Sequence, residues 1–390
     1  MAVCHRLKNL YRYQKILPLL AAVMCLFSCK KDISARDSDS ASQIATLLDS
    51  AGKASLPLAR REAYLDTVYS DLADKKNDTL TRYFYRKTAS TYYNIEKYDK
   101  SIIVGRKIAN LAREAKDTAT LARAYYYNAD SFYGKSESDS AFFYYTQAEK
   151  LYSDLRDYNS LGEVLLYKAY IYYNIGLYDL CESEAIKAIK LLQNRNSKIH
   201  IYNCYNLIAT ALDGQNRNEK ALEYFDLALE ELDRFKEEGY TDDEIMLYRA
   251  SCYNNKGLVY SKMKRFEEAI SLYNEALAVK GVKNEEALYA KLINNLAYAK
   301  FKSGDNSRLP GLFFESLKIR SKLKNKSGIV TSKLHLGEYY AGAGDTAKAL
   351  GYLRQAYKSA LEIESYSDIN LSLDLLTRVD NKKRDYYYRR

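Results

Sequence analysis

Side chains able to carry acid–base or nucleophilic chemistry are scarce in this chain. Its 390 residues include three histidines, His5, His200 and His335, and the last two lie far apart in the sequence. No glycine-rich phosphate loop, HExxH motif or G-x-S-x-G motif occurs. Catalysis needs a nucleophile or an acid–base pair held in position. The sequence therefore predicts a protein that is not an enzyme and that uses no cofactor.

The six cysteines give no pattern of metal ligands. None forms a CxxC motif or a cluster with histidine, the arrangements that structural zinc sites use. Cys181 stands where the small residue that opens a second helix is expected, and is predicted to be a small buried side chain. Cys204 and Cys252 occupy the same place in adjacent repeats, so they are predicted to be buried singly rather than bonded to each other. No metal site is predicted.

Residues 1–28 have the pattern of a targeting segment. A basic start is followed by an apolar run from Ile16 to Phe27, which at about 12 residues is too short to span a bilayer. Leu26-Phe27-Ser28-Cys29 resembles the lipobox of bacterial lipoproteins. The resemblance implies a signal peptide at residues 1–28 and lipidation of Cys29, with palmitate among its acyl chains.

The residues after Cys29 bear on the destination of such a lipoprotein. Lys30 and Lys31 stand where an inner-membrane retention signal would have Asp. The resemblance therefore implies an outer-membrane lipoprotein of the bacterial cell envelope, periplasmic or surface-facing. The alternatives are an uncleaved anchor, or an ordinary secretory signal followed by an incidental cysteine.

The distribution of charge argues against nucleic acid as a partner. The formal net charge is +10, but Arg6, Lys8, Arg12 and Lys15 lie in the leader, and residues 382–390 carry five basic residues and one acid. The rest of the chain is therefore close to neutral. A nucleic-acid site needs Lys and Arg clustered on one face, so no nucleic-acid partner is predicted.

The elements that position any binding residues are set by small residues at a fixed spacing. One mostly small set, expected to open the second helix of each pair, recurs every 40 residues apart from one interval of 48: Ser101, Ala141, Cys181, Ala221, Ala269, Leu309 and Ala349. A second set keeps phase in the first helices: Ala89, Ala129, Ala169, Ala209, Gly257, Ala297 and Gly337. This period predicts stacked pairs of helices of about 17 residues each.

The stretch from Ser251 to Ala278 resembles the tetratricopeptide repeat, which places aromatic and small residues at fixed helical positions on both sides of a short turn. The matching residues are Tyr253, Gly257, Tyr260, Phe266, Ala269, Tyr273 and Ala276. The resemblance implies an all-α fold, a right-handed superhelical solenoid of TPR-like helix-turn-helix repeats. With a period of roughly 40 residues, these are long-helix variants of the usual 34-residue unit.

The repeats divide the chain into five predicted segments. After the leader come a flexible tether at 29–43 and a degenerate N-terminal capping helix pair at 44–81. Seven TPR-like repeats occupy 82–361. A C-terminal half repeat or capping helix with a basic tail occupies 362–390.

The one longer interval places an insertion near Asp233 to Asp242, with a break at Gly239. Thr241 and Glu244 have the spacing of a capping box that restarts the helix. The insertion is either a contact loop or a drift in loop length. Pro310 is predicted to lie in the first turn of its helix, where its missing N–H costs no hydrogen bond.

The resemblance also implies that the first helices line a concave groove that binds a protein or an extended peptide. Carrying over the family's inward-facing positions gives the predicted contact residues Tyr126, Tyr133, Leu166, Tyr170, Tyr173, Asn206, Asn254, Asn294, Tyr298 and Phe301. Asn206, Asn254 and Asn294 share one place in successive repeats. A carboxamide both donates and accepts, so such a ladder could pair with a peptide backbone. The alternative is that Asn and Tyr are merely tolerated on a wet helical face.

The function predicted from these features is a lipid-anchored envelope TPR scaffold, non-catalytic, that binds a protein or extended peptide in its groove. One alternative is the sensory TPR part of a truncated regulatory protein. Another is a glycan-capture lipoprotein, although such proteins favour Trp, which is absent. The oligomeric state is not predicted.

Overall fold

The computed structural model describes residues 35–193, 197–305 and 309–380. Across these ranges the chain forms α-helices joined by short turns, with two 3₁₀ segments and no strand. The predicted all-α, helical-repeat fold is confirmed. The chain divides into two compact units, an N-terminal unit that ends at Ala211 and a C-terminal unit that begins at Leu212.

The N-terminal unit is built from consecutive helices of similar length. They are α1 Ala35–Gly52, α2 Leu58–Asp71, α3 Thr79–Asn94, α4 Tyr98–Glu114, α5 Thr118–Gly134, α6 Ser138–Asp154, α7 Tyr158–Asn174, α8 Tyr178–Leu192 and most of α9 Lys198–Gly214. Each predicted repeat in this unit consists of two such helices, which pack against each other.

The C-terminal unit continues the same pattern with one interruption. Its helices are α10 Asn218–Leu232, α11 Asp242–Lys262, α12 Phe266–Leu277, α13 Glu286–Ser303, α14 Leu309–Lys322, α15 Lys326–Gly342, α16 Thr346–Glu362 and α17 Tyr366–Val379. The 3₁₀ segments Phe235–Glu238 and Val282–Asn284 lie before α11 and α13.

Helix α1 begins earlier than predicted, at Ala35, so residues 35–43 of the predicted tether are helical. Ala41, Ile44, Ala45 and Leu48 have the helical spacing i, i+3, i+4 and i+7, and they pack into one core with α2 and α3. The apolar face of α1 therefore begins within the stretch that is rich in Ser and Asp. Composition alone had indicated a tether there.

Most turns between helices contain one residue in the left-handed conformation. Apart from Gly239 in the insertion and Gly281 before α13, these residues recur every 20 positions or a multiple of it, with one interval of 48: Glu96, Lys116, Ser136, Arg156, Gly176, Asn216, Lys264, Gly304, Lys324, Gly344 and Glu364. At the first, the Lys97 amide donates to the Tyr92 carbonyl oxygen at 2.9 Å. This is the bond of a Schellman cap. The two helices of a pair are therefore equal halves of the 40-residue period.

The small residues keep the paired helices close together. In the N-terminal unit, the Ser101 hydroxyl donates to the Ala89 carbonyl oxygen in the facing helix at 2.9 Å. In the C-terminal unit, a methyl group at Gly257 would lie 2.6 Å from the Tyr273 ring. Such separations leave no room for a larger side chain at these places.

The insertion in the C-terminal unit packs against its own neighbours. After α10, Phe235 is fully buried, and its ring lies 4.8 Å from that of Tyr240 and 5.5 Å from that of Tyr248. Gly239 takes the left-handed conformation, and the predicted capping box of Thr241 and Glu244 is present. The insertion is therefore anchored by an aromatic core of its own.

Other predictions about single residues agree with the structure. Pro310 is the second residue of α14. Cys181, Cys204 and Cys252 are buried free thiols, and burial raises the pKa of Cys181 to about 12. Across the described ranges, no helix is long and apolar enough to cross a membrane. The predicted signal peptide and Cys29 lie outside those ranges.

Candidate partner-binding surface

Three tyrosines from successive helices form a ring cluster in the N-terminal unit. Tyr126 comes from α5, Tyr145 from α6 and Tyr167 from α7. The Tyr126 ring lies 6.1 Å from each of the other two, and Tyr145 and Tyr167 stack with their centroids 5.7 Å apart. The repeat places an aromatic residue of each helix at the same level, so the rings meet. We call these three residues the tyrosine cluster.

Arg123 and Glu163 contact the tyrosine cluster. The Arg123 guanidinium lies over the rings of Tyr126 and Tyr152, at 5.9 and 5.7 Å. The Tyr126 hydroxyl donates to Glu163 at 3.1 Å, and His200 Nε2 lies 3.7 Å from the same carboxylate. Burial alone would lower the pKa of Arg123, but the nearby phenols and Glu163 raise it. Arg123 therefore stays charged.

Asp130 lies one turn after Tyr126 on α5 and is only 2% exposed. The Tyr145 hydroxyl donates to its Oδ1 atom at 2.7 Å. Burial and this carboxylate raise the pKa of Tyr145 well above its ordinary value. The phenol is thus held as a hydrogen-bond donor.

Half-buried tyrosines extend from the cluster to the surface of α5 and α7. The Tyr170 ring lies 6.2 Å from Tyr167, and the Tyr173 ring lies 5.7 Å from Tyr178. The Tyr133 hydroxyl accepts a hydrogen bond from Asn174 at 3.2 Å. These contacts fix the rings of the three predicted residues Tyr133, Tyr170 and Tyr173. Leu166, also predicted, is fully buried, so it supports the surface from below.

In the C-terminal unit, the predicted asparagines form hydrogen bonds within the protein. Asn254 is 3% exposed, and its Oδ1 accepts from Asn295 Nδ2 at 2.9 Å. Asn294 is fully buried, and its Nδ2 lies 2.7 Å from His335 Nδ1. The predicted pairing with a peptide backbone would require these bonds to break. In the N-terminal unit, Asn206 is only partly buried.

Tyr298 and Phe301, the last predicted contact residues, belong to an aromatic group around His335. Tyr298 stacks on the His335 ring at 3.9 Å, and Phe301 meets Tyr339 edge-on at 5.7 Å. Burial, with the positive charges of Arg320 and Lys302, lowers the pKa of His335 to about 3. His335, which is half-buried, is therefore neutral.

Two residues of the candidate site, Tyr145 and Glu163, were not predicted from the sequence. Neither residue occupies an inward-facing position of a first helix in the family pattern. Glu163 accepts a hydrogen bond from Tyr126, and Tyr145 donates one to Asp130. The available signal was that Tyr145 stands four residues after the small residue Ala141, where Tyr273 follows Ala269 in the best-matching repeat.

The chemistry that this surface offers is recognition through rings and hydrogen bonds. Throughout the described ranges, no group of three His, Cys, Asp or Glu residues could hold a metal ion. Half-buried tyrosines supply apolar area with few rotatable bonds, and Asn and Glu supply directional polar contacts.

Comparison with known families agrees with the helix pattern. Residues 202–231 and 250–280 each match a model described as tetratricopeptide repeat. A comparison with curated proteins gave no significant match.

Three solved structures illustrate the similarity of fold. The apo form of RapI is 17% identical, with a TM-score of 0.64 over 90% of this chain and 95% of its own. The apo quorum sensor NprR from B. thuringiensis is 14% identical, with a TM-score of 0.54 over 87% and 99%. NprR in complex with its cognate peptide NprX is 14% identical, with a TM-score of 0.54 over 90% and 98%. At this identity the likeness concerns the fold.

Proposed function

Since two segments of this chain match models of the tetratricopeptide repeat, we propose that it is a lipid-anchored scaffold of the bacterial envelope that binds a protein or an extended peptide. The observation that carries the proposal is the row of half-buried tyrosines on α5 and α7, Tyr133, Tyr170 and Tyr173. Their rings are held by contacts with Tyr167, Tyr178 and Asn174.

This row suits an extended peptide because its rings are already fixed. A rigid aromatic side chain loses little conformational entropy when a partner covers it. Apolar side chains of a peptide can pack on the ring faces while its backbone uses nearby hydroxyl and carboxamide groups. The similar fold of NprR, which has been solved with its cognate peptide NprX, also supports a peptide partner.

The C-terminal unit has a smaller part in this proposal. Asn254 and Asn294 already bond to Asn295 and His335. A partner that used their carboxamides would first have to replace those bonds, at a cost of about 1–3 kcal/mol for each group left unsatisfied. Tyr298 and Phe301 remain predicted contacts through their partly exposed rings.

We place the protein at the envelope through its first 29 residues. Acylation of Cys29 after removal of residues 1–28 would anchor the chain in the membrane, because each buried methylene contributes about 0.8 kcal/mol. Lys30 and Lys31 favour the outer membrane. The role of the chain is then to hold a partner there, and we propose no catalytic step.

The binding proposal is tested by selecting peptides from a random displayed library on the full chain and measuring the affinity of the selected peptides. Tyr133→Ala and Tyr170→Ala should each weaken binding about tenfold or more. Tyr366→Ala is the matched control, because Tyr366 is 80% exposed on α17. Peptides that bind all three variants equally would exclude the tyrosine row. If the protein binds glycans on an array and binds no peptide, the glycan-capture alternative is favoured.

Anchoring is tested separately by labelling with palmitate in a bacterial host. The chain should incorporate the label and sediment with membranes, and Cys29→Ser should abolish both. Equal incorporation by the Cys29→Ser variant would exclude this lipidation site without affecting the peptide measurement.

A further inference from the structure

Asp130 is a buried acid with one carboxylate oxygen unused. Its Oδ1 accepts a hydrogen bond from the Tyr145 hydroxyl at 2.7 Å. Its Oδ2 is buried and has no hydrogen-bond partner. An ionised carboxylate can accept about four hydrogen bonds. The group therefore retains most of its capacity to bind a donor.

Comparable acids have a cation beside them. Among the described residues, Glu231 is also buried, and it pairs with Arg234 at 3.2 Å. Glu338 occupies the place in its first helix that Asp130 occupies in α5, and it lies 3.1 Å from Lys302. Asp130 forms no such ion pair. A buried carboxylate without a cation is costly to keep, unless a ligand supplies the charge.

The surroundings of Asp130 favour a cation. The Tyr145 hydroxyl donates to Asp130. The Tyr145 ring lies 6.1 Å from that of Tyr126, which is one turn before Asp130 on α5. Tyr133, one turn after it, is half-buried. Aromatic ring faces attract positive charge through their quadrupoles. A carboxylate among tyrosine rings therefore forms an environment that suits an ammonium group.

We propose, building on the proposed function, that Asp130 binds a primary ammonium group of the peptide partner, from a lysine side chain or the N terminus. The ammonium donates hydrogen bonds to Oδ2 while Tyr145 continues to donate to Oδ1. Since Asp130 is 2% exposed, side chains that cover its Oδ2 atom must move to admit the group. Asp130 then fixes the register of the peptide on the tyrosine row.

The first test uses a small probe on the unmodified full chain. n-Butylammonium chloride should raise the melting temperature more than equal concentrations of 1-butanol and of sodium chloride do. Asp130→Asn, which keeps an acceptor for the Tyr145 hydroxyl, should lose the difference, and Glu338→Gln should keep it. An equal response to butylammonium and butanol in the unmodified chain would overturn the proposal even if the Asp130 variant failed to fold.

The second test uses the peptides selected above. Replacing each lysine by norleucine, or acetylating the N terminus, should identify one ammonium whose loss weakens binding about 30-fold. In Asp130→Asn that replacement should have no further effect. If peptides bind but neither change matters, the ammonium anchor is wrong and the peptide-binding proposal stands. If the library yields no binder, the proposed function fails, and the butylammonium measurement still decides the role of Asp130.

Discussion

The side-chain amide of Asn295 donates a hydrogen bond to the side-chain oxygen of Asn254 at 2.9 Å, which links α13 to α11 inside the C-terminal unit. Both side chains are buried. The two helices are the first helices of neighbouring repeats, so the bond fastens one repeat to the next. The bond uses the carboxamide of Asn254, which the sequence predicts to pair with a peptide backbone.

Replacing Asn295 by Ala should therefore destabilise the interface between these repeats. The Asn254 oxygen would remain buried without a donor, at a cost of about 1–3 kcal/mol. Urea unfolding followed by circular dichroism measures the change in the free energy of unfolding. Asn110→Ala is the control, because Asn110 is exposed on α4, and its effect should stay within about 0.5 kcal/mol. Equal effects of the two substitutions would show that the bond contributes nothing.

A second prediction concerns the close approach of α11 and α12. In Gly257→Ala the new methyl group would meet the Tyr273 ring at 2.6 Å, and Tyr273 is fully buried and cannot move aside. We expect a loss of about 1–3 kcal/mol in the free energy of unfolding. For Gly351→Ala on α16 we expect the free energy of unfolding to rise, since no other atom lies within 4 Å of the position of the new methyl group. Alanine there should stabilise the helix by about 0.5–1 kcal/mol. The same sign of change in both variants would contradict this account.

Small residues such as Gly257 explain why the fold could be predicted. Their 40-residue spacing follows from side chains that must be small wherever two helices touch, so the sequence carries the period directly. The turns were harder to predict, because Glu96 and Lys116 take the left-handed conformation although neither is glycine. Their Schellman bonds offset a conformational cost of about 1–2 kcal/mol that residue type alone does not reveal.

The candidate surface could be predicted only in part. Tyr133, Tyr170 and Tyr173 are half-buried, and their role as contact residues stays a prediction. Tyr126 and Asn254, taken from another inward-facing place, are buried because the next repeat covers them. The family pattern gives the direction of a side chain from its own helix. It does not give the partner that the neighbouring repeat supplies, such as Glu163 for Tyr126.

A third prediction tests the capping box after the insertion. Thr241 accepts a hydrogen bond from the Glu244 amide, and the Glu244 carboxylate accepts one from the Thr241 amide at 2.8 Å. Thr241→Ala should cost about 1 kcal/mol and should speed hydrogen exchange at the start of α11. Thr67→Ala, on the exposed surface of α2, removes a hydroxyl that only bonds within its helix. In Thr67→Ala, hydrogen exchange at the start of α11 should not change. Faster exchange there in both variants would show that the effect does not come from the capping box.

The last prediction concerns acid. The pKa of His335 falls from an ordinary value near 6.5 to about 3 in the folded protein, because of burial and the nearby Arg320 and Lys302 charges. Above pH 6.5 the histidine is neutral in both the folded and unfolded states, and its contribution to stability is complete. Between pH 6.5 and 3 the unfolded chain binds a proton that the folded chain excludes, so stability falls by about 1.4 kcal/mol per pH unit from this residue.

His335→Gln should remove this pH-dependent contribution to stability while leaving a hydrogen-bonding partner for Asn294. Chemical unfolding at a series of pH values between 7.5 and 4.5 would then show a shallower loss of stability in the variant than in the unmodified protein. The absolute stability of the variant is expected to be lower at pH 7.5, since the stacking on Tyr298 is lost. The comparison therefore uses the slope of the free energy of unfolding against pH. Parallel curves for the two proteins would show that another group causes the acid sensitivity.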